Sequence, residues 1–297
     1  MVSSSIMNNQ NIVVKEQLGE MQVIQYAKDM SVSPWTSKQE FFAARMNINR
    51  RQLLITMQGG KGYTLQAGAM QWTSGSVEAN SGIKGAGDFL GKFVASKVTK
   101  ESAVKPEYTG VGQLMLEPTY RHIILTDVAD WGGSLVLDDG LFLACESQVT
   151  QKVTARTNLS SAVLGGEGLF NLSLNGAGKV ALESIVPREE LFEIELQDDV
   201  LKIDGNMAIA WSGSLQFTVE KSSKSLLGSA VSGEGFVNVY RGTGKIWMAP
   251  VIATRQSAGV SVSTENASVG ATGSKVEKTA NAIDALGKIA DVMDMFS

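Results

Sequence analysis

A Gly-x-Gly pair followed by Lys or Gln and an apolar run occurs three times in this chain, always in the same register. The copies are Gly110-Val111-Gly112-Gln113-Leu114-Met115-Leu116, Gly176-Ala177-Gly178-Lys179-Val180-Ala181-Leu182 and Gly242-Thr243-Gly244-Lys245-Ile246-Trp247-Met248. Each begins 66 residues after the last, at positions 110, 176 and 242. One Gly-x-Gly says little in a sequence with 31 glycines, but constant spacing specifies internal repetition. The expectation is three versions of one β-rich unit of about 66 residues, over 45–118, 119–187 and 188–250.

Inside each unit the signals are those of strands and tight turns. Gln52–Met57, Leu135–Leu143 and Leu201–Ile209 each carry apolar residues up to or through a Gly-containing turn, and a second strand follows. That is hairpin chemistry, sharpest at Asp138-Asp139-Gly140 and Asp204-Gly205-Asn206, because Gly and Asn tolerate positive φ. Phe192–Leu196 and Leu215–Glu220 alternate apolar and polar residues, the period of a strand with one solvated face. Pro118, Pro187 and Pro250 follow the closing strands. The predicted fold is all-β. Residues 1–44 read as an arm with leading strands, 251–274 as a Ser/Ala/Gly-rich linker, and 275–297 as an amphipathic helix. Ile283, Leu286, Met293 and Phe296 lie on the apolar face of that helix.

Composition narrows the function classes. The formal net charge is −4, so no global attraction to nucleic acid or anionic lipid is expected. A single cysteine, Cys145, allows no intrachain disulfide, and its apolar neighbours mark it as a small buried hydrophobe. No apolar run approaches the ~20 residues that span a bilayer. The first residues lack a basic n-region and an apolar h-region, which leads to the expectation of a cytoplasmic protein, with membrane contact at most peripheral.

Catalytic readings fare poorly. A dinucleotide site needs its glycines to open a helix, whereas here an apolar strand follows them, so they read as a structural hinge. His122 is the only histidine, too few for an imidazole metal site, and a Ser-His-Asp triad would have to pair it with Asp127 or Asp130. No catalytic residue, metal or cofactor is expected. Glu101, Glu167 and Glu234 recur at intervals of 66 and 67, either as local turn caps or as a threefold carboxylate cluster for a cation. The stretch from Lys84 to Lys105 carries Phe89 and Phe93 on a helical stripe among Lys84, Lys92 and Lys97. It can lie on an anionic membrane or a partner, or pack its stripe on the β-core, the reading favoured here.

Two stretches carry a family resemblance. They are Gly166-Glu167-Gly168-Leu169-Phe170 through Gly176-Ala177-Gly178-Lys179-Val180, and Ser232-Gly233-Glu234-Gly235-Phe236 through Gly242-Thr243-Gly244-Lys245-Ile246, with Asp204-Gly205-Asn206 between them. The chain resembles the AIM24 family over roughly residues 45–250. The first unit departs most, with Lys100-Glu101-Ser102 in place of Gly-Glu-Gly and Gln113 in place of Lys.

The resemblance implies a fold similar to the tryptophan RNA-binding attenuation protein, a β-sandwich arrangement of units about a pseudo-threefold axis. For eukaryotic relatives it implies a role in organising inner-membrane complexes; the missing transit peptide points to a prokaryotic member. It supplies no catalytic residues. The expectation is a non-enzymatic scaffold acting through self-association, a protein partner or a membrane surface. The alternative is a module for a small ligand or single-stranded RNA, using Tyr240 with Arg241, Trp247 with Lys245, and Arg50-Arg51.

Overall fold

The computed structural model describes residues 6–80, 105–155, 170–221 and 236–251. The chain divides into two units, 1–253 and 254–297, and every described residue lies in the first. The described residues are predominantly β, with one α-helix.

The strands run in chain order as follows. β1 (Ile12–Leu18) and β2 (Met21–Tyr26) form a hairpin, and α1 (Ser37–Arg45) follows. Then come β3 (Arg51–Gln58), β4 (Tyr63–Leu65), β5 (Met70–Asn80), β6 (Glu107–Leu116) and β7 (His122–Asp127). β8 (Ser134–Leu137), β9 (Phe142–Glu146), β10 (Thr150–Ala155), β11 (Phe170–Asn175) and β12 (Lys179–Ser184) make up the middle of the chain. β13 (Phe192–Asp204), β14 (Ala208–Ser212), β15 (Gln216–Lys221) and β16 (Phe236–Met248) complete it.

Two antiparallel sheets result. The first has the order β1-β2-β3-β6-β4-β9-β12-β7, with β5 also on β6. The second has the order β10-β11-β8-β14-β16-β13, with β15 also on β16. Each sheet curls around apolar residues of its own. Met21, Leu53, Ile55, Tyr63, Leu114 and Ala144 fill the first, and Leu196, Ile203, Trp211, Tyr240 and Ile246 fill the second. A third cluster draws on both sheets, with Ile124, Cys145, Val180 and Leu182 from one and Leu135, Leu174, Ile209 and Trp247 from the other. Each fully buried Leu or Ile is worth about 1.5–3 kcal/mol relative to exposure, so these clusters hold the sheets together.

One expectation needs correction. The segments around Gly140 and Gly205 are not hairpins. Both glycines do take positive φ, 78° and 70°, but β8 pairs with β11 and β14, whereas β9 pairs with β12 and β4. β13 and β14 likewise flank β16 instead of pairing with each other. Turn residues fix where a chain bends, not which edge the next strand joins. β9 and β14 are buried at nearly every residue, and such strands are stable only with a neighbour on both edges. Within residues 1–44, β1 and β2 form a hairpin, and β2 also pairs with β3, which joins both to the first sheet.

Candidate functional site

The three Gly-x-Gly pairs share one backbone conformation. The first glycines have φ of 123°, 109° and 114°, and the second 153°, 152° and 158°. At Gly112 the neighbouring strand comes so close that a Cβ would fall 1.8 Å from the Ser74 carbonyl oxygen, which no side chain survives. At each pair the chain changes strand neighbours on at least one edge: across Gly110–Gly112, β6 passes from β4 to β3 while β5 stays beside it. The following residue is held through its N–H. Lys179 donates to Glu146 Oε2 at 3.0 Å, and Lys245 donates to Ser212 Oγ at 3.1 Å.

The two lysine side chains then go to different environments. Glu146 is 2% exposed and receives Lys61 Nζ at 3.1 Å, Lys179 Nζ at 3.9 Å and Gln148 Nε2 at 3.2 Å. Lys61 also reaches Glu20 at 3.5 Å. Its hydrogen bond to Glu146 raises the Lys61 pKa, so at neutral pH it is a fixed ammonium with no nucleophilic lone pair. Lys245 instead lies over the Trp131 ring at 4.7 Å. Trp131 meets Trp247 edge to face at 4.8 Å, and Arg188 covers Trp247 at 4.5 Å. Both indole N–H groups have acceptors, Thr126 Oγ1 at 3.0 Å and Glu193 Oε2 at 2.6 Å.

The residues considered for catalysis are taken up elsewhere. His122 and Asp127 stand at opposite ends of β7, and Asp127 caps a 3-10 turn by accepting from Ala129 N–H at 3.0 Å. Burial is the main cause that lowers the His122 pKa to about 4. Cys145 is fully buried, and burial pushes its thiol up to about 12. Of the residues considered for RNA stacking, Tyr240 and Trp247 are buried and offer no ring face to a base. Arg241 is paired to Glu220 through two nitrogens at 2.7 and 2.9 Å. Arg51 is buried, with its guanidinium donating to Asn47, Asn49 and Arg121 carbonyls. An open cleft of about 240 Å³ lies beside Tyr26, Gln52 and Trp72. The Gln52 amide there is already committed to Tyr26, Gln71 and the Leu116 carbonyl.

Glu101, Glu167 and Glu234 lie outside the described residues, as do Lys84, Phe89, Lys92, Phe93 and Lys97. Ile283, Leu286, Met293 and Phe296 of the expected terminal helix do so too.

Sequence reasoning missed a run of exposed large apolar side chains that is dense for the described residues. It is the segment from Met30 to Ile48, which contains α1. Trp35 is 92% exposed, Met46 76%, Met30 73% and Phe42 58%, and Phe41 and Ile48 are also exposed. The helix α1 buries none of its residues. Nonetheless the segment is anchored at both roots. Asp29 accepts from the Tyr120 hydroxyl and pairs with Arg50 at 3.4 Å, while Arg51 grips the Asn47 carbonyl at 2.8 Å. Lys28, Lys38 and Arg45 are exposed around it. A run of aromatic residues at Trp35, Phe41 and Phe42 without helical or strand period was the available signal.

These features define an all-β protein of two curled antiparallel sheets with a presented apolar segment. The family model described as "Mitochondrial biogenesis AIM24" matches residues 44–251, and the chain belongs to the AIM24 family. An uncharacterized protein of Streptococcus pyogenes serotype M6 is 30% identical over 202 residues, which is 65% of this chain and 79% of that protein. The crystal structure of a Streptococcus pyogenes protein is similar with a TM-score of 0.51 at 26% identity, over 69% of this chain and 90% of that one.

Proposed function

We propose that this chain is a non-enzymatic scaffold that docks on a membrane surface through the segment Met30–Ile48. The observation that carries the reading is Trp35, 92% exposed in the turn before α1, within a segment whose roots are pinned by Asp29, Arg50 and Arg51. An anchored backbone that presents Trp, Phe and Met side chains to solvent is costly unless something covers them. Indole and phenyl rings flanked by Lys28, Lys38 and Arg45 suit the headgroup boundary of an anionic bilayer. No helix among the described residues is long and apolar enough to span one, so contact of this kind is peripheral. The same reading takes the β-core as three successive versions of one unit, as in the attenuation-protein fold, with the pseudo-threefold closure expected from the resemblance left open between the third and the first. Its support is the shared glycine conformation at 66-residue intervals.

Flotation with vesicles of phosphatidylglycerol and of phosphatidylcholine tests the docking. The chain is expected to float with the anionic vesicles. Trp35→Ser with Phe42→Ser lowers partitioning at least about tenfold, or roughly 1.4 kcal/mol, without changing thermal stability. Equal recovery of variant and parent would remove the segment from the account.

A further inference from the structure

Two strand seams in this molecule are built on one template. In the first, β4 pairs with β9 as Tyr63↔Glu146, Thr64↔Cys145 and Leu65↔Ala144. In the second, β8 pairs with β14 as Leu135↔Ser212, Val136↔Trp211 and Leu137↔Ala210. The flanking backbone bonds also correspond. Ser147 N–H donates to Gly62 and Gln66 N–H to Leu143, both at 2.8 Å; Gly213 N–H donates to Ser134 at 2.8 Å and Asp138 N–H to Ile209 at 2.9 Å.

Both kinds of strand have a third member. β5 begins against β6 as Met70↔Leu116, skips a residue, and continues as Trp72↔Met115. β9 does the same against β12 with Phe142↔Leu182 and Ala144↔Ala181, and β14 against β16 with Ala208↔Met248 and Ala210↔Trp247. The start of β5 is therefore the counterpart of β9 and β14. On the other side of the seam, Tyr63 pairs with Tyr108, Leu135 with Leu174 and Leu201 with Tyr240, partners spaced by 66. The end of β13 is therefore the counterpart of β4 and β8. Yet among the described residues β13 pairs only with β16, the start of β5 pairs only with β6, and no backbone hydrogen bond joins β5 to β13. Met70 and Val200, apolar and 38% and 45% exposed, mark these two edges.

We infer that the edge of β13 in one copy of this chain pairs with the start of β5 in a second copy. Carrying the register forward gives Leu201↔Ser74, Lys202↔Thr73 and Ile203↔Trp72, antiparallel. The donor and acceptor rows match because the two finished seams use the same positions. The contact is heterologous, head to tail, so copies close into a ring or extend as a chain. Gln113 stands where Lys179 and Lys245 follow the crossings at the finished seams, so the third seam lacks their cation. The inference rests on the scaffold reading and names one of its partners, a second copy.

Thr73 and Lys202 are both exposed, and the one native thiol is buried, which permits a cysteine test in the full chain. Thr73→Cys and Lys202→Cys chains are purified separately, mixed and oxidised. Cross-linked dimer is expected from the mixture well above either variant alone. Sedimentation of the unmodified chain should show a mass rising from 31.6 kDa with concentration. A doubly substituted chain that cross-links only within itself, at monomer mass, overturns the inference, as does a monomer at every concentration. Vesicle flotation retained without the cross-link sinks the seam alone, and the cross-link without flotation sinks the membrane contact alone.

Discussion

The β4–β9 seam and the β8–β14 seam have the same backbone and opposite side-chain chemistry. At the first, Lys179 and Lys61 converge on the buried carboxylate of Glu146. At the second, Ser212 replaces Glu146 as the backbone acceptor, and Lys245 rests on Trp131, itself packed on Trp247. A buried carboxylate must be fully paired or it costs several kcal/mol, so the first seam is specific but gains little net stability. Edge-to-face indoles with their N–H groups bonded exclude water without burying a charge, so the second carries more of the hydrophobic free energy. What the two seams share is a held N–H after a Gly-x-Gly crossing. The cation that follows is free to find whatever neighbour the adjoining loop provides.

The sharpest break of this contrast is truncation of each centre. Trp131→Ala removes a fully buried indole and two ring contacts and should cost about 3–5 kcal/mol. Glu146→Ala should cost less, about 2–3 kcal/mol, because Lys61 remains 43% exposed and returns to water easily. Urea midpoints of the two variants decide the order. A larger loss at Glu146 would make charge, not packing, the main holder of the seams.

A smaller effect tests what the seams have in common. Gly178 and Gly244 have φ of 152° and 158°, and a Cβ at either meets a neighbour at 2.8 Å, Val149 Cγ2 or Ser212 Cβ. Alanine at each should cost about 1–3 kcal/mol, and the two costs should agree within about 1 kcal/mol despite the different surroundings. Stability that differs widely between them, read by thermal melting, would show that side chains rather than backbone set the crossing.

How much of this was legible follows from the range of each interaction. The crossings were, because positive φ leaves a glycine in the sequence at every copy. Glu146 was not. It closes the apolar run Leu141–Cys145 and looks like any polar strand end, while its partners Lys61 and Lys179 are 85 and 33 residues away. Trp131 sits in Asp130-Trp131-Gly132-Gly133, where the glycines advertise a turn and hide a core residue. Trp35 and α1 went unread for the opposite reason: a helix that buries no residue needs no apolar face, so it leaves no period to detect. The crossovers of β9 and β14 are long-range pairings that turn chemistry does not encode.

The smallest effect separates the charged sheet from the aromatic one by pH. His122 lies on β7 of the first sheet, with its pKa lowered to about 4 by burial and then by Arg51, against the opposing pull of Glu189. An unfolded histidine titrates near 6.5. Above that value it is neutral in both states and contributes no slope. Between about 6.5 and 4 the unfolded chain takes up a proton that the folded chain refuses, so stability falls as pH falls through this window. After allowance for the partial exposure of the ring, the loss is about 2 kcal/mol. His122→Gln keeps a polar side chain of similar reach and cannot titrate. The difference in urea stability between parent and variant should therefore shift by about 2 kcal/mol from pH 7.5 to pH 4, against the parent. Carboxylates common to both chains cancel in that difference. A constant difference across the range would place His122 in water when folded, and with it the open side of β7.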